Sequence, residues 1–327
     1  VSGPPKQSTL SNNAMRKVQY DRFGDEQVLE VREQPAPTIT KNQLLIQVKA
    51  ASINPLDWKI YQGGMKLLSG SKFPKGVGID FAGVVTQVGP GVTRCRVGSA
   101  VFGLLEVFKG GALAGYVVVA EADIALKPEN ITFDQAASLP VTGLAALQVV
   151  DQLAAVGPGH EVLINGATGG VGLFAIQLAK RRGARVTAVA GPAGVLRATQ
   201  MGADVVVDYT KQDIRQLTQR FDAIIDLSNK LAFKTAKKLM KPRATFVNML
   251  PSPQGLLLSF LHNLFSSKKR QILVLKPTAT GLNTLAALAQ DGLQILVEQV
   301  YSLANVRQAY QETRQGKVKG KAVVVLD

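Results

Sequence analysis

The stretch Glu161-Val162-Leu163-Ile164-Asn165-Gly166-Ala167-Thr168-Gly169-Gly170-Val171-Gly172 runs from an apolar strand into a glycine-rich turn, which opens into an amphipathic helix over about residues 171–182. Such a turn lets backbone N–H groups approach a pyrophosphate, and the helix N-terminus stabilises the negative charge. A strand before and a helix after the turn are both readable, which is the context the motif requires. On this reading Ala167, Thr168, Gly169, Gly170, Val171 and Gly172 cradle a dinucleotide. The alternative is a tight strand-to-helix turn with no ligand.

Outward from the turn the pattern alternates. Strand signals at 185–190, 205–207, 223–227, 244–248 and 271–275 are interleaved with helical stretches near 195–201 and 232–240. A helix over 143–153 precedes the first strand. This alternation argues a parallel, doubly wound sheet of the Rossmann type. Residues 15–126 instead show short strands, such as 44–48, 81–88 and 116–120, broken by Gly and Pro. They read as a β-rich domain. Residues 281–327 add helices at 282–290 and 306–314 and a terminal strand at 322–326. Residues 1–14 lack an initiator Met and are rich in Ser, Pro, Gln and Asn. They read as a flexible linker or tag remnant, which points to a domain excised from a longer polypeptide.

The 327 residues allow two domains. A hydrophobic content of 46% with only 6% aromatics suits an α/β protein. No apolar run is long enough to span a membrane. The single cysteine, Cys95, excludes an internal disulfide and fits a reducing, cytoplasmic setting. Net charge is +15 and the pI about 9.9, which favours anionic partners. Many of the cations fall in the second half, in clusters such as Lys237 with Lys238 and Lys268-Lys269-Arg270. They carry no nucleic-acid-binding motif and no interleaved aromatics, so no nucleic-acid partner is expected. An acidic carrier protein, an anionic membrane surface and a plain solvated face stay open. Residues 251–267 are dense in Leu and Phe. The first expectation is a buried helix; a pocket wall, a partner contact or a membrane contact are the alternatives.

Several motifs resemble the medium-chain dehydrogenase/reductase superfamily in its quinone oxidoreductase branch. They are Asn54-Pro55-Leu56-Asp57-Trp58-Lys59, Gly78-Ile79-Asp80-Phe81-Ala82-Gly83-Val84-Val85, Ala137-Ser138-Leu139-Pro140, the glycine turn, Gly202-Ala203-Asp204 and Gly320-Lys321-Ala322-Val323-Val324. The resemblance covers residues 15–327 and is nearest to chloroplast-envelope quinone oxidoreductase homologues and polyketide synthase enoyl reductase domains. It implies an α/β fold with a GroES-like catalytic domain over 15–138 and 277–327 and a Rossmann domain over 139–276. Zinc-dependent members hold metal with Cys and His where this chain has Asn54-Pro55, and with His-Glu where it has Ile79-Asp80. One cysteine and two histidines, His160 and His262, cannot fill both a catalytic and a structural site, so no metal is expected.

The resemblance implies site residues one by one. Asn54 lies in the active-site loop, where its amide holds the nicotinamide or a substrate carbonyl; otherwise it is a turn residue before Pro55. Lys59 stands where several relatives have a Tyr, either polarising a carbonyl or simply exposed. Tyr61 is a second donor candidate, with a packed aromatic as its alternative. Asp57 is expected to brace the loop and Asp80 to orient backbone near the cleft. Thr142 contacts the nicotinamide or caps a helix. Lys321 is assigned to the cofactor. At the end of the second strand, where an acid would bind the ribose diol of NAD, the chain reads Val189-Ala190-Gly191-Pro192. Arg197, one helical turn on, is expected to reach a 2′-phosphate, and Tyr209 matches an adenine-side contact. The expected cofactor is therefore NADPH.

The implied activity is NADPH-dependent, zinc-independent reduction of a conjugated C=C by hydride transfer to the β-carbon. The leading expectation is an enoyl-acyl-carrier-protein reductase domain of a polyketide synthase. The alternatives are a free-standing quinone or 2-alkenal oxidoreductase, at the plastid envelope periphery or in the cytoplasm, and a non-enzymatic cofactor-binding or membrane-surface protein. Monomer and homodimer both stay open.

Overall fold

A computed structural model describes residues 14–249 and 252–326. The expected linker lies outside them except for Ala14, which opens the first strand.

The first part of the chain is β-rich because its apolar residues alternate over short runs cut by turns. Strand β1 (Ala14–Tyr20) pairs antiparallel with β2 (Glu30–Pro35) and β4 (Lys75–Gly76). The longer β3 (Gln43–Ser52) pairs with β5 (Asp80–Val88) and with β7 (Tyr116–Ala120). Strand β6 (Ala100–Leu104) joins β5 to β8 (Ile124–Leu126). Helix α1 (Pro55–Tyr61) starts at a proline in its first turn, where the missing N–H costs nothing. A short α2 (Lys66–Ser69) follows, and α3 (Phe133–Ala137) begins with the reciprocal cap of Thr132 and Gln135.

From Pro140 the chain builds the doubly wound unit. Helix α4 (Pro140–Leu147) starts three residues before its expected position and runs on as a π-helical segment, Gln148–Leu153. The six strands are β9 (Glu161–Asn165), β10 (Arg185–Ala190), β11 (Val205–Asp208), β12 (Phe221–Asp226), β13 (Met240–Asn248) and β14 (Lys269–Ile272). All pairs are parallel, in the order β11-β10-β9-β12-β13-β14. The order reverses at β9, which is where such sheets bind ligands, beyond the strands' C-terminal ends. Crossovers are α5 (Gly170–Arg181), α6 (Val195–Gln200), α7 (Phe233–Leu239) and α8 (Pro253–Phe265). The dense apolar segment 251–267 does contain a helix, α8, but the expectation of burial fails: of its thirteen residues only Ser259 is buried.

After β14 come α9 (Ala279–Gln290), β15 (Val297–Ser302), α10 (Val306–Arg314) and β16 (Lys321–Val325). Strand β16 pairs with β15 and, antiparallel, with β3, so the last segment returns to the first domain. One apolar cluster runs through the boundary: Ala50, Ile79 and Phe102 from the first sheet pack with Leu144, Val162 and Leu285. The boundary is thus close-packed rather than a loose hinge.

Candidate active site

Gly166 follows β9 with φ +78°, and a Cβ there would lie 2.9 Å from Ser228 N. Asn165 pins the same corner by donating from Nδ2 to Asp226 Oδ1 and Ser228 Oγ, both at 2.9 Å. A Cβ on Gly172 would lie 2.5 Å from the backbone of Ala167, so α5 packs directly on the turn. Gly169 caps α5 with no side-chain hydrogen bond. The N–H groups of its first turn are left for an anion. The turn thus leaves the N-terminus of α5 open beside residues 167–172, where the sequence reading expects a pyrophosphate.

At the adenosine end, Thr168 lies under Gly194, with Oγ1 2.7 Å from a Cβ built there. The Tyr209 phenol covers Gly191, its oxygen 2.9 Å from a Cβ built on that glycine. Strand β10 ends on buried Ala190 with no carboxylate. Arg197 departs from expectation. Its Nη2 pairs with Glu298 Oε2 at 2.6 Å and its Nη1 donates to Lys319 O at 3.3 Å. The guanidinium ties α6 to β15 instead of standing free for a phosphate, because the returning C-terminal segment brings a carboxylate beside it.

The other end of the turn meets the first domain. A Cβ on Gly170 would lie 3.1 Å from Thr142 Cγ2 and 3.2 Å from Lys321 Cδ. Thr142 is not an N-cap: α4 is capped by Leu139, and Thr142 Oγ1 donates back to Ser138 O at 2.6 Å. Lys321 is buried, and its Nζ donates to Asn54 Oδ1 at 2.9 Å and Ile53 O at 3.1 Å, 3.8 Å from Asp80 Oδ2. Asp80 Oδ2 accepts from Ser52 Oγ and Asn54 Nδ2, both at 2.9 Å, while its Oδ1 accepts from Val141 N at 3.1 Å. Asp80 therefore joins the two domains and holds the backbone that leads into Thr142. Burial pushes the Asp80 carboxyl up and the Lys321 ammonium down, and the charge of each works against the other's shift.

Asp57 braces the loop as expected. Its Oδ2 accepts from Asn54 N at 2.8 Å and from the Tyr310 hydroxyl at 3.1 Å. Burial pushes its carboxyl up to about 7, with those bonds and Lys321 acting in the opposite sense. Tyr61, expected as a donor, is fully buried in the first domain's core, edge-on to Tyr20 and Tyr310 at 6.3 and 5.5 Å. Seven positions after Asn54, two turns along α1, it falls on the helix face that packs inward. Burial also raises its phenol, so it is no proton donor to a substrate. Tyr20, Asp57 and Tyr61 line one water-sized cavity, and each keeps a buried oxygen without a hydrogen-bond partner among the described residues. Lys59 is exposed one turn beyond Leu56, the residue of α1 that packs toward the second domain.

Sequence reasoning missed Tyr310 and Ser52, and took Lys321 for a cofactor contact alone. A lysine opening the buried run Ala322-Val323-Val324 was the available signal, since a buried cation requires a partner. A catalytic zinc does not fit this donor set. Asp80 accepts hydrogen bonds on both oxygens, and a lysine ammonium already stands beside it. No group of three or more His, Cys, Asp or Glu able to hold a metal occurs among the described residues.

Residues 40–129 match the alcohol dehydrogenase GroES-like domain family, and residues 201–324 match a family described as zinc-binding dehydrogenase. The chain is 32% identical to the chloroplastic quinone-oxidoreductase QR1 of Triphysaria versicolor, covering 96% of this chain and 99% of that protein. It is 30% identical to the mitochondrial NAD(P)H oxidoreductase RTN4IP1 of Danio rerio, over 93% of this chain and 89% of the relative. The solved quinone oxidoreductase from Coxiella burnetii superposes with a TM-score of 0.87 at 30% identity, covering 96% of this chain and all of that one.

Proposed function

Because the chain belongs to the quinone oxidoreductase branch of the medium-chain dehydrogenase/reductase superfamily, and is an oxidoreductase using a nicotinamide cofactor, we propose that it reduces a conjugated carbonyl, a quinone or enone, with NADPH. The observation that carries this reading is the meeting of the glycine turn with Thr142 and Lys321 at Gly170. The cradle for a dinucleotide and the buried polar group around Asn54 thus share one corner of the cleft.

When bound, a reduced nicotinamide would supply hydride to the β-carbon of the acceptor, so the site must stabilise negative charge on the carbonyl oxygen. The protein's part is to bind, orient and donate. The turn and the N-terminus of α5 hold the pyrophosphate. Asn54 is fixed from both sides, its Oδ1 by Lys321 and one Nδ2 hydrogen by Asp80. An amide has a second N–H, which is the donor for the developing oxyanion. Lys321 and Asp80 are positioning residues. Support for NADPH comes from the missing acid at the end of β10 and from Tyr209 over Gly191. An enoyl thioester on an acidic acyl carrier is the second reading, favoured by the net charge of +15.

The test follows loss of reduced-nicotinamide absorbance with a simple quinone, a short enone and a carrier-bound enoyl thioester. Expected are turnover of the quinone or enone, about tenfold or more preference for NADPH over NADH, and a loss on the order of 10²-fold in kcat for Asn54→Ala. Preference for the thioester would move the substrate to the carrier-bound class. Equal use of the two cofactors would remove the NADPH assignment, and no acceptor-dependent oxidation would sink the reading.

A further inference from the structure

Helix α8 is built inside out. Leu257, Leu258, Phe260 and Leu264 are 58–61% exposed, Phe265 is 89% exposed, and Leu256 and Leu261 are exposed as well. At 3.6 residues per turn these side chains cover about 200° of the helix. The face toward the protein carries small and polar residues instead. Gly255 sits against Ile272, whose Cδ1 is 3.3 Å from a Cβ built there, and Ser259 is buried. His262 Nε2 bonds with Lys268 O at 2.9 Å. Asn263 donates to Arg270 O at 2.9 Å and accepts from Arg270 N at 2.8 Å. The helix is thus held on the fold by hydrogen bonds, with its apolar surface turned outward. A contiguous exposed patch of this kind marks a contact surface.

The chain on either side of the patch is rich in cations, although Lys241 is paired with Asp222. Between Leu227 and Gln290 the chain has ten Lys and Arg and no Asp or Glu. Helix α7 lies beside α8, with Phe233 edge-on to His262 at 4.9 Å and Lys268 Nζ on Lys237 O at 2.9 Å. It exposes Lys234, Lys237 and Lys238 there. A second copy of the chain would set these cations against their own kind, which disfavours self-association through this face. A leucine-rich face framed by lysines fits the boundary between headgroups and acyl chains of an anionic bilayer. Thirteen residues of helix rise only about 20 Å, and no helix among the described residues is long and apolar enough to cross a membrane. A segment of this length has the dimensions of a surface-lying helix rather than a spanning one.

We propose that α8 and its lysine border dock this chain peripherally on an anionic lipid surface. The proposal concerns where the protein sits and is independent of the reaction assigned above. The whole chain is sedimented with vesicles of phosphatidylcholine and with vesicles also containing phosphatidylglycerol. Expected are binding to the anionic vesicles, weakening with salt, and loss of binding in Leu257→Glu/Phe260→Glu. Each lysine of α7 changed to alanine should weaken partition about fivefold. Turnover of a water-soluble quinone should be unchanged in these variants, which shows that they fold. Absence of lipid binding, or binding insensitive to both substitutions, would overturn the proposal. So would a dimer that Leu257→Glu/Phe260→Glu dissociates without any lipid binding, which would assign the face to a second copy.

Discussion

Asp57 takes both of its protein hydrogen bonds on one oxygen and turns the other toward a cavity it shares with Tyr20 and Tyr61. Its carboxyl is raised from 3.8 to about 7 because burial disfavours the anion. Between those values the folded protein binds a proton that the unfolded chain has lost. Stability from this group is therefore full below about pH 3.8 and falls as pH rises toward 7. Asp57→Asn keeps an acceptor for Asn54 and Tyr310 and removes the ionisation. The variant's thermal midpoint should gain on the parent as pH rises, by about 2 °C or more at pH 8 relative to pH 4. A difference between the two proteins that is the same at both pH values would show that the carboxyl ionises freely. At this scale Asp57 was legible as a support of the loop and Asp80 as a support of nearby backbone, whereas for Tyr61 a donor and a packed aromatic were not distinguishable. Its hydroxyl looks like a donor until the packing of α1 shows which face it occupies.

The strand–turn–helix of β9 and α5 is an element whose parts agree. The helix begins where its N–H groups have no side-chain cap, and Gly172 permits contact with the turn. Replacing a helical glycine by alanine ordinarily stabilises a helix by up to about 1 kcal/mol. At Gly172 the sign reverses, because the new Cβ would meet the Ala167 backbone at 2.5 Å. Gly172→Ala should destabilise the fold by about 1–3 kcal/mol and weaken NADPH binding on the order of tenfold. Thermal unfolding and a fluorescence titration measure the two effects, and unchanged NADPH affinity would mean that the cofactor does not use this turn. Helix α8 is the opposite case, an element whose existence was readable and whose orientation was not. Its density of leucines signals a face to be covered, but the periodicity is silent on whether protein or something else covers it.

Across the whole molecule, the two domains are tied at Asp80–Val141, at the shared apolar cluster and at Arg197–Glu298. The last of these concerns cofactor choice. A 2′-phosphate would compete with Glu298 for the Arg197 guanidinium. Glu298→Gln should lower KM for NADPH about threefold and leave that for NADH unchanged. Its effect on stability should stay within about 1 kcal/mol, since both side chains are partly solvated. Weaker NADPH binding in the variant would instead mean that Glu298 orients the arginine.

The sequence alone determined the doubly wound unit and the β-rich partner domain, and it named the stretch expected to hold a cofactor. The reason is that a strand, a glycine turn and a helix are local: twelve consecutive residues, 161–172, contain the chemistry of the turn. Only the tertiary structure decided that Lys321 meets Asn54 across 267 positions, that Arg197 is held by Glu298, that Tyr61 faces inward and that α8 faces out. Those outcomes depend on which elements pack together. Charge pairing and burial are set by neighbours in space, and hydrophobic period and spacing along the chain do not name those neighbours.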